Sequence, residues 1–374
     1  MGKNRPMVLL CERLNKANQY TEMLCDAYQK RGISVILDVQ NFLFSDFIPE
    51  FVHIQWPEAI YAWRHHIPKD ESSVRFINDR LRFYKEVNVP IVYTAHNLLP
   101  HTNSNSFDED VYRLIVSLSD VIVHHGSFSV EKIKEVFPEG KTATHIVCPH
   151  GPYPYAAANV ENSRKRYHLP GGKFIYLNFG RQRQNKGGEF TRSVFHAWNN
   201  PGACLFTIGP TSLAETNAPL FGKKRAKLLM KAKTGYCNAK SIYAQREKRY
   251  YRSIPEPEIK NIVAASDVFF LGHLDGLNSG ILALAASFGK PVVFPDLGNF
   301  REQMEHWPWH EHYEVGNVPS AVSALDRMQR RIADIPVGTL LFDNQTWKQE
   351  NSWAKHVEKI YEAVAAVTVC MSNE

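Results

Sequence analysis

The chain has 374 residues, 44% hydrophobic and 22% charged, with a formal net charge of +6. That length exceeds one ordinary core and suits two α/β domains, and the balance of residues excludes a disordered polymer. No apolar stretch is long enough to span a bilayer. The opening run Met7–Leu10 is too short for the apolar region of a signal peptide, so a cytoplasmic location is expected. The cysteines Cys11, Cys25, Cys148, Cys204, Cys237 and Cys370 form no CxxC pair, which excludes a zinc ribbon or disulfide framework and reads as reduced thiols.

In chain order, β-rich runs fall at Met7–Cys11, Ile33–Val39, Phe51–Gln55, Ile91–Thr94, Val121–His124 and Ile146–Cys148. Amphipathic stretches lie between them, such as Tyr20–Lys30, ended by Gly32, and Ser72–Val87, ended before Pro90. Several of the runs are apolar throughout, as parallel strands covered on both faces require. The pattern pauses at Gly151-Pro-Tyr-Pro-Tyr, and an interdomain linker is placed there, with the first domain at 1–155 and the second at 156–351. The second half restarts with Phe174–Phe179, Leu205–Ile208, Val268–Leu271 and Val292–Phe294, again with helices between. A last amphipathic helix over Ser352–Ala366 closes the chain and is expected to cross back to the first domain. The fold class predicted is α/β, with two Rossmann-like domains.

Charge is uneven. Residues 223–252 hold eleven Lys or Arg and one Glu, a local balance of +10, which leaves the rest of the chain at −4. Lys224, Lys227 and Lys231 stand at helical spacing. The segment reads equally as a solvated helix face or as a contact for an anionic membrane or acceptor. No nucleic-acid module is recognisable, so nucleic acid is not expected as a partner.

Two constellations carry chemistry. Gly180-Arg181 and Lys186-Gly187 directly follow the run Phe174–Phe179, and in open α/β sheets ligands bind beyond the carboxyl ends of strands. Arg grips a diphosphate through its planar fork and Lys as a point charge. The second is Asn278-Ser279-Gly280, opening a helix over Ile281–Phe288, where free N–H groups and a positive dipole end suit phosphate. The bland readings are a basic surface turn and an ordinary helix cap. His306-Trp-Pro-Trp-His310-Glu-His312 has metal-like composition, but Pro308 breaks the helix that would align its histidines, and no metal site is expected. His53-Ile-Gln-Trp56 ends a strand and reads first as a packed Trp, second as an acceptor groove.

The chain resembles glycosyltransferases of the GT-B fold, specifically the large retaining family 4. The matching residues are Gly180-Arg181 with Lys186-Gly187, Ala285 to Val293 around Gly-Lys-Pro-Val-Val, Tyr93-Thr-Ala-His96, Pro149-His150-Gly151 and Ser352-Trp353. The resemblance implies two Rossmann-like domains facing across a cleft, with a saccharide or lipid-linked acceptor on the first and a nucleotide sugar on the second. It implies that His96 lies beside the transferred sugar and that anomeric configuration is retained. Arg181, Lys186 and the start at Asn278–Gly280 would carry the leaving diphosphate, with no metal or other cofactor needed. The family's two Glu around the donor helix fall here on Gly276 and Leu284, with Asp275 one position off the first. The family's Gly-rich loop after the first strand is replaced by Glu12–Asn18. An epimerase of nucleotide sugars, or a non-catalytic binder of them, are the competing readings.

Overall fold

The structure is a computed structural model and describes residues 6–12, 19–61, 67–100, 104–156, 158–210, 232, 235–236 and 245–371. It divides into two compact units, one of residues 1–151 with 349–374 and one of residues 152–348.

The first unit is built on six parallel strands: β1 (Met7–Leu10), β2 (Ser34–Leu37), β3 (Phe51–Ile54), β4 (Ile91–Thr94), β5 (Val121–His124) and β6 (Thr144–Val147). Their order across the sheet is β2-β1-β3-β4-β5-β6, so the strand order reverses between β1 and β3. Alternation along each strand loads both faces with apolar side chains. Leu9, Val52, Ile54, Ile91 and Ile122 join the core on one face, with Ile77 and Leu81 of the helix Glu71–Glu86. Val8, Leu10, Phe51, Val92 and Val121 face the other way, under the helix Tyr20–Lys30 and the last helix, Trp353–Met371. That last helix contributes Val357, Ile360, Ala363 and Val364 to this core. Helix starts are set locally: Asp70 accepts from Ser73 N at 3.1 Å, and Asn105 forms a reciprocal capping box with Asp108.

The second unit adds β7 (Phe174–Phe179), β8 (Ala203–Ile208), β9 (Glu247–Tyr250), β10 (Val268–Phe270), β11 (Val292–Pro295) and β12 (His310–Tyr313). All pair in parallel in the order β12-β11-β10-β7-β8-β9, the doubly wound Rossmann order, with reversal between β7 and β10. The stretch after Gly151 is not free of structure. It holds the helix Val160–Arg166, capped by Asn159, and Tyr155 stacks on Phe288 with ring centroids 5.7 Å apart.

Two strands are absent from the sequence reading, β9 and β12, and both are sheet edges with charged sequences, Glu-Lys-Arg-Tyr and His-Glu-His-Tyr. An edge strand has one unpaired side facing water, so it carries charge rather than an apolar run. Lys290, of the Gly-Lys-Pro segment before β11, is buried at 4% exposure. Its ammonium donates to Ser266 O at 2.9 Å and Leu340 O at 2.8 Å, pinning two loops at the foot of the sheet.

Candidate functional site

In the second unit the predicted residues gather where the strand order reverses. Asn178, near the end of β7, donates to Phe270 O of β10 at 3.3 Å, and buried Gln182 donates to Asn178 Oδ1 and Gly180 O, both at 3.0 Å. The loop after β7 is tied to the loop after β10 by Leu274 N donating to Asn185 O at 2.8 Å. Gly187 has φ +59, and a Cβ there would lie 1.9 Å from Gly272 O, so only glycine fits. Likewise a Cβ on Gly209, after β8, would lie 1.8 Å from Gly180 O. This packing presents Arg181, Arg183 and Lys186 from one loop, Arg181 exposed and the other two half-buried.

Lys186 Nζ lies 2.5 Å from His273 Nε2, after β10. Burial, with the Arg183 charge, pulls the Lys186 ammonium down to about 8, while Asp275 acts the other way. Burial and the Arg181 charge lower Arg183 as well. A loop whose cations lose solvation with no buried anion beside them among the described residues is suited to receive one. His273 was not among the residues singled out from sequence; its position three residues past the end of β10 was the available signal.

Ser279 occupies the position before the helix Gly280–Ser287, but its side chain makes no capping hydrogen bond. Its hydroxyl is buried with no hydrogen-bond partner among the described residues. The approach to this helix is held by Gln303 Oε1, which accepts from Ser279 N at 3.1 Å, and by Asn299, which donates to Asn278 Oδ1 at 2.7 Å. Gly180, Arg181, Lys186, Asn278, Ser279 and Gly280 therefore belong to one unit and to the carboxyl ends of adjacent strands β7 and β10. Leu284, where the resemblance would put the second Glu, is an apolar core residue at 4% exposure, and Asp275 is exposed.

His96 lies in the first unit, just past β4, half-buried. Trp56 stacks on it at 4.1 Å between ring centroids and 12° between planes, and Tyr20 meets its ring edge-on at 4.7 Å. The Trp56 segment is thus packed against the candidate group itself. Gln55, His125 and His150 stand just beyond β3, β5 and β6, so consecutive parallel strands each end in a polar side chain. From sequence only His96 was given a role in this row; Gln55 lay inside the His53–Trp56 segment, His150 inside the Pro149–Gly151 match, and His125 was passed over. Burial holds the His53 ring down at about 3, His125 at about 4 and His150 at about 3, and lowers His96 and His356 well below the usual imidazole range. All five rings are therefore neutral at neutral pH.

Of the basic segment, Lys223, Lys224, Arg225, Lys227 and Lys231 lie outside the described residues, as do Arg13–Asn18. The end of the segment is β9, where Lys248 is buried and Arg249 pairs with Glu247 at 3.2 Å, and just past it Arg252 pairs with Glu258. His310 and His312 lie on β12 with ring centroids 6.5 Å apart, and His310 Nδ1 is bound to Trp307 O at 2.5 Å. Among the described residues no three His, Cys, Asp or Glu side chains converge as ligands for a metal, and no helix is long and apolar enough to cross a membrane.

No protein-family model matches the chain, and no curated protein sequence matches it. Solved structures do. Sucrose-phosphate synthase from Thermosynechococcus elongatus superposes with a TM-score of 0.66 at 13% identity, over 97% of this chain and 100% of the other. HepE from Anabaena, in complex with UDP and glucose, gives 0.65 at 12%, over 96% and 100%. The catalytic domain of starch synthase IV from Arabidopsis thaliana, bound to ADP and acarbose, gives 0.65 at 10%, over 98% and 99%. At such identities the likeness concerns fold, and the fold is GT-B: two Rossmann-like α/β units in one chain.

Proposed function

We propose that this protein is a glycosyltransferase that moves a sugar from a nucleotide-sugar donor to a saccharide or lipid-linked saccharide, with retention, in polysaccharide or glycoconjugate synthesis. The observation that carries the reading is the Lys186 loop. Three cations and a positive helix start stand at the strand-order reversal of a Rossmann sheet, with the Lys186 charge poorly solvated until an anion arrives. The structural relatives that hold UDP or ADP point to the same class of ligand. In the reaction the bond from the anomeric carbon to the diphosphate oxygen breaks and a bond to the acceptor oxygen forms. The acceptor's O–H bond breaks, its proton passing to the released diphosphate or to water, and Arg181 and Lys186 stabilise the charge left on the diphosphate. The role given to His96 is the one the resemblance implies, hydrogen bonding to the transferred sugar, and no metal is required by this distribution of roles.

The direct test is a thermal-shift screen against UDP-, GDP-, ADP- and TDP-linked sugars, followed by a transfer assay with the sugar that binds. Arg181→Ala and Lys186→Ala are each expected to reduce turnover by about 10²–10³. Wild-type turnover in both variants would remove this site from the account. One observation favours a second reading, a non-catalytic nucleotide-sugar binder: Leu284 is a core residue where the resemblance calls for a ribose-binding Glu. Binding without transfer or hydrolysis would support it. An epimerase would convert its nucleotide sugar with no acceptor present. We also propose a cytoplasmic protein whose segment 223–252 meets anionic membrane. Sedimentation with anionic vesicles at low salt, lost on replacing Lys223, Lys224, Arg225 and Lys227 with Gln, tests this.

A further inference from the structure

His96 belongs to a line of hydrogen-bonded groups that crosses the sheet of the first unit. Tyr28 OH lies 2.9 Å from His53 Nδ1. His53 Nε2 lies 2.8 Å from both Thr94 Oγ1 and Gln55 Nε2. Gln55 Oε1 lies 2.8 Å from His96 Nε2, His96 Nδ1 lies 3.4 Å from His125 Nε2, and His125 Nδ1 lies 2.9 Å from Cys148 O.

The direction of these bonds follows from the groups that act in one way only. An amide oxygen only accepts, so His96 Nε2 carries a hydrogen and donates it to Gln55. An amide nitrogen only donates, so His53 Nε2 is a lone-pair nitrogen and His53 Nδ1–H donates to the Tyr28 hydroxyl. At the far end the Cys148 carbonyl only accepts, so neutral His125 carries its hydrogen on Nδ1 and has a lone pair on Nε2. The lone pairs of His96 Nδ1 and His125 Nε2 then face one another, with one proton needed to join them.

We propose that Gln55 and His125 are positioning residues for His96. Gln55 pins the neutral ring as its Nε2–H tautomer, and His125 is the acceptor for a proton that arrives at His96 Nδ1. A proton taken up at Nδ1 would leave both N–H groups of the resulting imidazolium with acceptors in place, Gln55 Oε1 and His125 Nε2. That His96 serves a sugar rests on the proposed transferase reading; the tautomer does not. The Trp56 stack and the Tyr20 edge hold the ring plane. Among the described residues the titratable groups around His96 include Tyr20 on the first helix, His53 on β3, His125 and His150 after β5 and β6, and His356 on the last helix. These histidines are neutral at neutral pH, and among the described residues the choice of tautomer is made by hydrogen bonds.

The experiment is nitrogen NMR of the full chain with labelled histidine, with the His96 signals identified from a His96→Gln variant. The expected wild-type result at neutral pH is a protonated Nε2 and a lone-pair Nδ1. Gln55→Leu is expected to give a mixture of tautomers and Gln55→Glu to restore the Nε2–H form. His125→Leu should lower the pH at which His96 takes its second proton, and His125→Gln, which keeps an acceptor, should hold it. Nδ1–H in the wild type would overturn the proposal, even if no variant folds. An unchanged tautomer in folded Gln55→Leu would also overturn it. These spectra need no substrate, so the expected tautomer in a chain that transfers no sugar would refute the proposed function alone.

Discussion

Gly187 and Gly272 meet backbone against backbone, so closely that a Cβ on Gly187 would stand 1.9 Å from the Gly272 carbonyl oxygen. This contact sets the distance between the loop after β7 and the loop after β10. Gly187→Ala is expected to force the loops apart, with about 1–3 kcal/mol of backbone strain added at a left-handed position. The melting temperature should fall by several degrees and nucleotide-sugar binding should weaken with it. Calorimetry on the variant measures both, and an unchanged binding constant would separate the loop contact from the site.

Lys186 predicts a pH dependence of donor binding. Its ammonium is held at about 8 in the free protein. A bound diphosphate favours the charged form, so the complex holds a proton that the free protein loses as pH rises through that value. Affinity should be level below about 8 and fall by about tenfold per pH unit above it. Lys186→Arg stays charged over this range and should flatten the curve. A titration of nucleotide-sugar affinity against pH decides.

The neutral histidines of the first unit predict acid sensitivity. Their folded values lie below the ordinary imidazole value, about 3 for His53 and His150 and about 4 for His125. The unfolded chain therefore binds protons that the folded unit refuses. Stability is fully present above the ordinary imidazole value near 6.5 and is lost as pH falls from there toward about 4 and then 3. Each such ring withdraws about 1.4 kcal/mol per pH unit inside that window. Unfolding midpoints in denaturant across this range should drop steeply, and in His53→Gln less steeply than in the wild type.

Lys290 predicts a purely structural loss. Lys290→Met fills the same space and leaves the Ser266 and Leu340 carbonyls without their buried donor. About 1–3 kcal/mol is expected for each unmet group. The melting temperature should fall, and donor affinity in the folded protein should stay near wild type. A large loss of affinity at full stability would place Lys290 in the site instead.

Most of the sheet architecture was legible in the sequence because its inner strands are buried on both faces and read as unbroken apolar runs. The helix Tyr20–Lys30 emerges with the bounds its periodicity gives, and Gly180 to Gly187 follows β7 as its spacing requires. What was hidden depends on lateral neighbours. Glu247–Tyr250 and His310–Tyr313 are strands because each pairs along one side, a fact that no local pattern records. Gln55 and His125 come together with His96 only because β3, β4 and β5 are adjacent in the sheet. The residues that surround a strand-end group are spread along the chain by the length of each intervening helix, so spacing alone does not gather them. His273 was overlooked for the same reason, being set beside Lys186 by the pairing of β10 with β7.

The return of Trp353–Met371 to the first unit bears on how a ribosome delivers this protein. One face of the first sheet needs Val357, Ile360 and Val364 for its cover. Those side chains are translated after every residue of the second unit. The nascent first unit must therefore wait through the synthesis of nearly two hundred further residues (residues 152–348) with part of its apolar surface bare. During that interval it is a natural client for a holding chaperone, and the second unit, contiguous in sequence, is free to fold first.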